Sequence, residues 1–215
     1  VVLSFAGYPW TVKSSTTPVG PGPNLFDAYG PYVDRSGVMH LRIVDTPSGW
    51  QSSEVILDPS VGYGTYTWTV RGQLSNLDPN AVLALFTYPD SMSATDTEVD
   101  FEASRFGWAT EPTNAQYVVQ PFYAPGHLQR ITLTKGYETT VSMTWSRNGV
   151  SFSGETVRRN GRATALPTWS EDSPFPPCTC GEQVHMSLWS YLGVAPADGR
   201  PISVAVTGFG YAPAP

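Results

Sequence analysis

Glu98-Val99-Asp100-Phe101-Glu102, the centre of the stretch 97–104, places carboxylates at every second position with apolar residues between them. A β-strand sends alternate side chains to opposite faces. Glu98, Asp100 and Glu102 therefore share one face, while Val99, Phe101 and Ala103 turn toward a core. The apolar half marks a central strand rather than a solvated edge. Neighbouring acids on one sheet face repel each other and weaken the sheet, so the row points to chemistry rather than stability. Paired carboxylates are also the equipment that glycosidic bond cleavage requires.

The rest of the chain repeats the strand signal. Residues 38–44 and 64–70 alternate, and 81–88 is almost continuously apolar, as a strand covered on both faces should be. Further strands are read at 117–122, 130–134, 139–145, 184–189 and 202–209, with Asn148-Gly149 as a tight hairpin into 150–152. With 20 Gly and 20 Pro among 215 residues, long helices have little room and short strands joined by turns fit well. The expected fold is all-β: a jelly-roll sandwich of two curved antiparallel sheets. No linker divides the chain, so residues 1–215 read as one domain. Loops are expected at 91–96, 108–114 and 159–177, the last long enough to be a cleft wall or lid.

Composition narrows the partners. The net charge is −6, Lys13 and Lys135 are the only lysines, and no basic stripe exists, which argues against nucleic acid as a partner. No apolar run reaches the ~20 residues that a membrane-spanning helix needs, so no membrane partner is expected. The opening residues 1–5 are too short and uncharged to be a signal peptide. Cys178 and Cys180 leave three readings open: a local disulfide, free thiols, or half of a metal site with His185. No further CxC or CxxC completes four ligands, so no metal site is expected. A bridge would favour an extracellular location.

Strand geometry sets the spacing of the acids. Glu98 and Glu102 have Cα atoms ~13 Å apart on an extended strand, and side chains leaning inward bring the carboxyls to ~5–7 Å. That approaches the ~5–5.5 Å of a retaining double displacement. Asp100 between them couples their titrations, and the crowding raises at least one pKa. If Trp189 faces the groove, Ser187 and His185 share its face while Met186 and Leu188 point inward. Gln120 and Phe122 fall on the cleft side of the strand after the acids. Trp189, Trp108 and Trp169 are candidate sugar platforms, with core packing the alternative for any single Trp. His185 is either a cleft residue bonding substrate or Glu102, or a satisfied structural histidine.

Several of these stretches resemble glycoside hydrolase family 16: Tyr63-Gly64-Thr65-Tyr66, Leu85-Phe86-Thr87-Tyr88, the E-x-D-x-E motif at 98–102, and Met186-Ser187-Leu188-Trp189. The family's concanavalin-A-like jelly roll carries laminarinases, lichenases, agarases and carrageenases, and the resemblance covers residues 38–209. It implies a secreted or periplasmic, monomeric, retaining endo-glycoside hydrolase acting on a β-linked polysaccharide such as a β-glucan. Glu98 would be the nucleophile, Glu102 the acid/base and Asp100 the assisting residue. Phe86, Tyr88, Trp189, His185, Gln120, Phe122, Trp108 and Trp169 would bind substrate. No cofactor is expected, and the sequence is silent on structural calcium. The alternatives are a transglycosylase on the same site and a non-catalytic, lectin-like module, against which the acidic triplet argues. Two positions depart from the family: Ser52-Ser53-Glu54 replaces a Ser-Ala-Arg, and Asp96 stands where Trp is frequent. Glu54 and Asp96 are therefore expected to shape sugar specificity.

Overall fold

The computed structural model describes residues 1–89, 97–171 and 177–215. Its strands run in chain order as β1 (Val2–Phe5), β2 (Tyr8–Val12), β3 (Leu25–Phe26), β4 (Tyr32–Val33), β5 (Met39–Thr46) and β6 (Gly49–Leu57). They continue as β7 (Gly64–Arg71), β8 (Ala81–Pro89), β9 (Val99–Ala103), β10 (Ala115–Val119), β11 (Leu128–Ile131) and β12 (Glu138–Ser146). The last are β13 (Gly149–Val157), β14 (Ala163–Ala165), β15 (Trp169–Glu171), β16 (Glu182–Ser190) and β17 (Ile202–Pro213).

Hydrogen-bonded pairing sorts these strands into two layers. One, the cleft sheet, has the order β1-β2-β6-β16-β8-β9-β10-β11. The other, the outer sheet, has the order β4-β5-β17-β7-β12-β13, with β14 and β15 both on the far side of β13. Every one of these ladders is antiparallel. Short β3 pairs parallel to the start of β6, and the β5–β6 hairpin joins the two layers. The fold is thus the antiparallel all-β sandwich expected from the strand pattern.

Alternation explains which face each strand buries. On β7, Tyr66, Trp68 and Val70 are buried, while Thr65, Thr67 and Thr69 point outward. Those hydroxyls meet Thr144, Ser142 and Thr140 of β12 at 3.1–3.3 Å, a polar ladder on the solvent side. Inward residues of both sheets form one apolar cluster that includes Trp10, Leu83, Phe101 and Met186 from the cleft sheet, with Leu41, Trp68, Trp145 and Phe152 from the outer one. Aromatic rings bridge the layers: Trp10 meets Phe209 edge-on at 5.1 Å, and Tyr117 stacks on Phe152 at 4.6 Å. Buried aromatic pairs of this kind add ~0.5–1.5 kcal/mol beyond their area.

Three sequence expectations need correction. The β12–β13 turn uses Arg147 and Asn148 as its central residues, with Ser146 paired to Gly149. The hairpin exists, but it closes one residue earlier than the Asn-Gly signal suggested, and Gly149 takes the positive φ of 139°. The segment 159–177 is no cleft wall in its described part: β14 and β15 extend the outer sheet by pairing with β13. Trp169 lies on β15, stacked with Tyr117 and Phe152 at 6.2 and 6.0 Å, so it packs on the core and is no sugar platform. Cys178 and Cys180 are joined as a disulfide, and the Glu182 carboxylate accepts the Cys180 N–H beside it.

Candidate active site

The cleft sheet sets three side-chain rows side by side. Antiparallel register places Glu102 beside Ala84 of β8 and Gln116 of β10, and Asp100 beside Phe86 and Val118. One strand further, Phe86 faces His185 and Ala84 faces Ser187 on β16, which in turn faces Glu54 on β6. Glu98 precedes β9, yet its carbonyl still accepts the Gln120 N–H at 2.9 Å, which carries the ladder onward. Val99, Phe101 and Ala103 are fully buried behind this surface. The period-2 pattern thus does two jobs at once: it anchors the strand and presents its acids.

A cavity of about 610 Å³ opens over these rows. Its lining includes Glu98, Asp100, Glu102, Phe86, Tyr88, His185, Trp189 and Glu54. Its floor holds the small Ala84, and the segment Lys13–Pro21 contributes its rim through Lys13, Ser14, Ser15, Val19, Gly20 and Pro21. The size suits an oligosaccharide segment, because ligand pockets commonly span ~300–1,000 Å³. Another concavity, of about 550 Å³, is lined by Lys135, Tyr137, Arg158 and Arg159 with no carboxylate, and so offers no acid chemistry.

Each acid has a distinct environment. Asp100 is 3% exposed and its Oδ2 has no hydrogen-bond partner among the described residues. Burial, followed by the charges of Glu98 and Glu102, pushes its pKa well up. Asp100 is therefore the member that holds a proton most firmly, and it hands a hydrogen bond to Glu98. Burial also raises Glu98, but that bond from Asp100 and the nearby His185 pull it back toward the ionised form. Glu102 is pushed up to about 7 by burial, with the Gln116 hydrogen bond opposing, Glu98 adding and Arg130 opposing. The triplet thus combines a neutral donor, a carboxyl that accepts its hydrogen bond and a proton carrier poised near neutrality.

Glu102 owes its orientation to residues that sequence reading missed. Gln116 Nε2 donates to Glu102 Oε2 at 2.6 Å, and Arg130 Nη1 donates to Gln116 Oε1 at 3.1 Å. An arginine can only donate, so it fixes the amide with its oxygen toward Arg130 and its NH2 toward Glu102. With Oε2 engaged as an acceptor, the acid proton is favoured on Oε1. Arg130 itself is held by Thr113 and by the Ser104 carbonyl. Gln116 shares strand parity with Gln120, so extending that parity backward would have found it.

Glu54 sits at the other side of the cavity, 1% exposed. It accepts a hydrogen bond from His185 Nδ1 at 2.9 Å and from Lys13 Nζ at 3.0 Å. Burial alone would raise its pKa, but His185 and Lys13 outweigh that and lower it. His185 stacks on Phe86 at 4.8 Å and meets Tyr88 edge-on at 5.9 Å. Trp189 is nearly buried in the lining, its ring 6.4 Å from that of Tyr191. Gln120 is half-buried at the Glu98 end, and its Oε1 accepts the N–H of Phe122, which is 56% exposed. Trp108 is 71% exposed and neither it nor Phe122 lines the cavity. Asp96 lies outside the described residues.

Known structures share this architecture. No protein-family model and no curated protein sequence matches the chain. A prokaryotic β-1,3-1,4-glucanase (lichenase) from a mouse hindgut metagenome superposes with a TM-score of 0.69 at 20% identity, covering 95% of this chain and 93% of that one. A glycoside hydrolase family 16 endo-glucanase from Bacteroides ovatus, in complex with G4G3G-2F-DNP, gives 0.69 at 13% identity over 94% of each chain. The Crh5 transglycosylase in complex with NAG gives 0.62 at 14% identity, covering 96% of this chain and 79% of that one. The chain has the jelly-roll fold found in family 16 structures.

Proposed function

We propose that this chain is a retaining glycoside hydrolase that cuts a β-linked polysaccharide internally. The observation that carries the proposal is the placement of Glu98, Asp100 and Glu102 together on one cavity wall, backed by the upward push that burial gives their pKa values, Glu102 to about 7. The likeness of the fold to glucanases supports it further.

The chemistry follows from the environments. Ionised Glu98 attacks the anomeric carbon as protonated Glu102 gives its proton to the departing glycosidic oxygen. The glycosyl–Glu98 ester forms and the C–O bond to the leaving sugar breaks. Glu102, now ionised, takes a proton from water, whose oxygen attacks the anomeric carbon and frees Glu98. The stereochemistry is inverted twice and so retained. Asp100, holding its proton, steadies the Glu98 anion before attack and after release. Trp189 and the Phe86–His185 pair offer flat faces for the C–H surfaces of sugar rings. The bond-breaking steps draw on the carboxyls alone and need no metal. The disulfide suits an extracellular or periplasmic setting.

The test is a panel of β-linked polysaccharides scored for released reducing ends, with the first product's anomer read by NMR. Glu98→Gln and Glu102→Gln should keep the wild-type circular dichroism and lose hydrolysis by about 10³-fold or more. Azide should rescue Glu98→Ala by giving the inverted glycosyl azide. Substantial activity in both Gln variants would overturn the assignment. The resemblance to a transglycosylase fold keeps sugar transfer as a second outcome, read as longer products at high oligosaccharide concentration.

A further inference from the structure

Among the described residues that line the cavity, four are carboxylates (Glu54, Glu98, Asp100 and Glu102) and Lys13 is the single lysine or arginine. That lysine is already committed. Its Nζ bonds Glu54 at 3.0 Å and the Gly20 carbonyl at 2.7 Å, and it lies 4.4 Å from the centroid of the Phe26 ring. Among the described residues, the cavity therefore has no uncommitted lysine or arginine to receive a sulfate or a uronate. Arg130 is held behind Glu102 by Gln116, Thr113 and Ser104.

His185 supplies the complementary observation. Glu54 is held ionised and has no proton to give, so the hydrogen bond between them puts a proton on His185 Nδ1. The opposite nitrogen, Nε2, is buried in a side chain only 4% exposed and has no partner among the described residues. A buried polar atom left unpaired is costly, and this one belongs to a residue lining the cavity. A sugar hydroxyl can accept from or donate to such a nitrogen, so it suits an uncharged ring in either sense.

We propose that the Lys13–Glu54–His185 chain makes this side of the cavity a subsite for an uncharged sugar residue, and that the site rejects polysaccharides carrying sulfate or carboxylate groups there. This rests on the reading of the cavity as a glycan site. Glu54 supplies the selectivity: its charge absorbs Lys13, which would otherwise be free to attract anions, and it fixes the direction in which His185 presents Nε2. Lys13 in turn keeps Glu54 from standing as an unpaired buried charge. Lys13 is brought there by register, since its N–H bonds the Glu54 carbonyl at 3.0 Å and extends the β2–β6 ladder.

The test is binding rather than turnover, so that it stands apart from the hydrolase assignment. Soluble oligosaccharides from laminarin, lichenan and agarose, each paired with its carboxymethylated counterpart, are titrated calorimetrically at low salt into the chain carrying Glu98→Gln, the background for every variant below, while the wild-type chain is scored separately for cleavage. At least one neutral member should bind about tenfold or more tighter than its anionic partner, a gap that like-charge repulsion readily supplies. Glu54→Gln should narrow the gap by about tenfold, and Lys13→Met, whose side chain is partly exposed, should widen it. Equal or tighter binding of the anionic member, a gap unchanged in both variants, or binding of neither member of every pair overturns the proposal. Neutral selectivity without any cleavage leaves it standing and removes the hydrolase assignment instead.

Discussion

Replacing Gln116 by Leu isolates the control of the proposed acid. In the wild type the Gln116 amide donates to Glu102 Oε2 at 2.6 Å, and this bond favours the ionised carboxylate against the upward push of burial. Leu matches the volume and removes the donor. A hydrogen bond to a charged group contributes ~1.5–3 kcal/mol, and each pKa unit corresponds to ~1.36 kcal/mol. The full loss would be ~1–2 units, and water entering the gap returns part of it, which leaves a rise of about one. The sign is fixed, because losing a bond to the charged form raises the pKa. An acid with a raised pKa stays protonated to higher pH, so the alkaline limb of log(kcat/KM) should move up by about one pH unit. The assay is reducing-end release on whichever β-glucan is cleaved, from pH 5 to 10, with circular dichroism as the fold control. An alkaline limb that stays put or moves down refutes the assignment of Glu102 as the acid held by Gln116.

Stability should depend on pH through the same residue. Glu102 has a folded pKa of about 7 against the ordinary glutamate value of 4.5, so between those values the folded state binds more protons. Stability then falls as pH rises through that window, by on the order of 3 kcal/mol. Glu102→Gln removes this penalty, and its melting temperature should exceed that of the wild type by roughly 6–12 °C at pH 8 and by little at pH 4. Glu54 works in the opposite sense: its lowered pKa adds stability that is lost as pH falls below the ordinary carboxylate range, so Glu54→Gln should lose its stability deficit in acid. Ala84→Leu puts a branched side chain on the cavity floor; KM should rise about tenfold with a small change in melting temperature, checked by kinetics and calorimetry. Cys178→Ser with Cys180→Ser opens a very small loop and should cost ~1.5 kcal/mol, read by urea titration, without altering cleavage.

The acid row and its core partners were legible because strand parity is a local property. Five consecutive residues are enough to place Glu98, Asp100 and Glu102 together, and the same reasoning put Trp189 and His185 on one face. What stayed hidden depends on register between distant strands. Glu54 stood out as an acid in place of a base, but its partners Lys13 and His185 lie 41 and 131 residues away in the chain. Arg130 likewise reaches Gln116 only because β11 lies against β10. Trp169 misled for a related reason: an aromatic in a Pro-rich stretch reads as a loop platform until β15 is seen to pair with β13 and set it against Tyr117. The earlier closure of the β12–β13 hairpin came from register too, since Ser146 pairs with Gly149 rather than leaving Gly149 in the turn.

β6 has a double attachment. Its first residues pair with β5, and Ser53–Ile56 pair with β16, so the strand that carries Glu54 is held from both layers. The acids on β9 are held by other neighbours, β8 and β10. The proposed sugar subsite and the acid row thus have separate mechanical supports, joined through the β8–β16 ladder that runs from Pro89 and Glu182 to Ala81 and Ser190. Such a division would let substitutions on β6 reshape the proposed subsite while the acid row on β9 keeps its alignment.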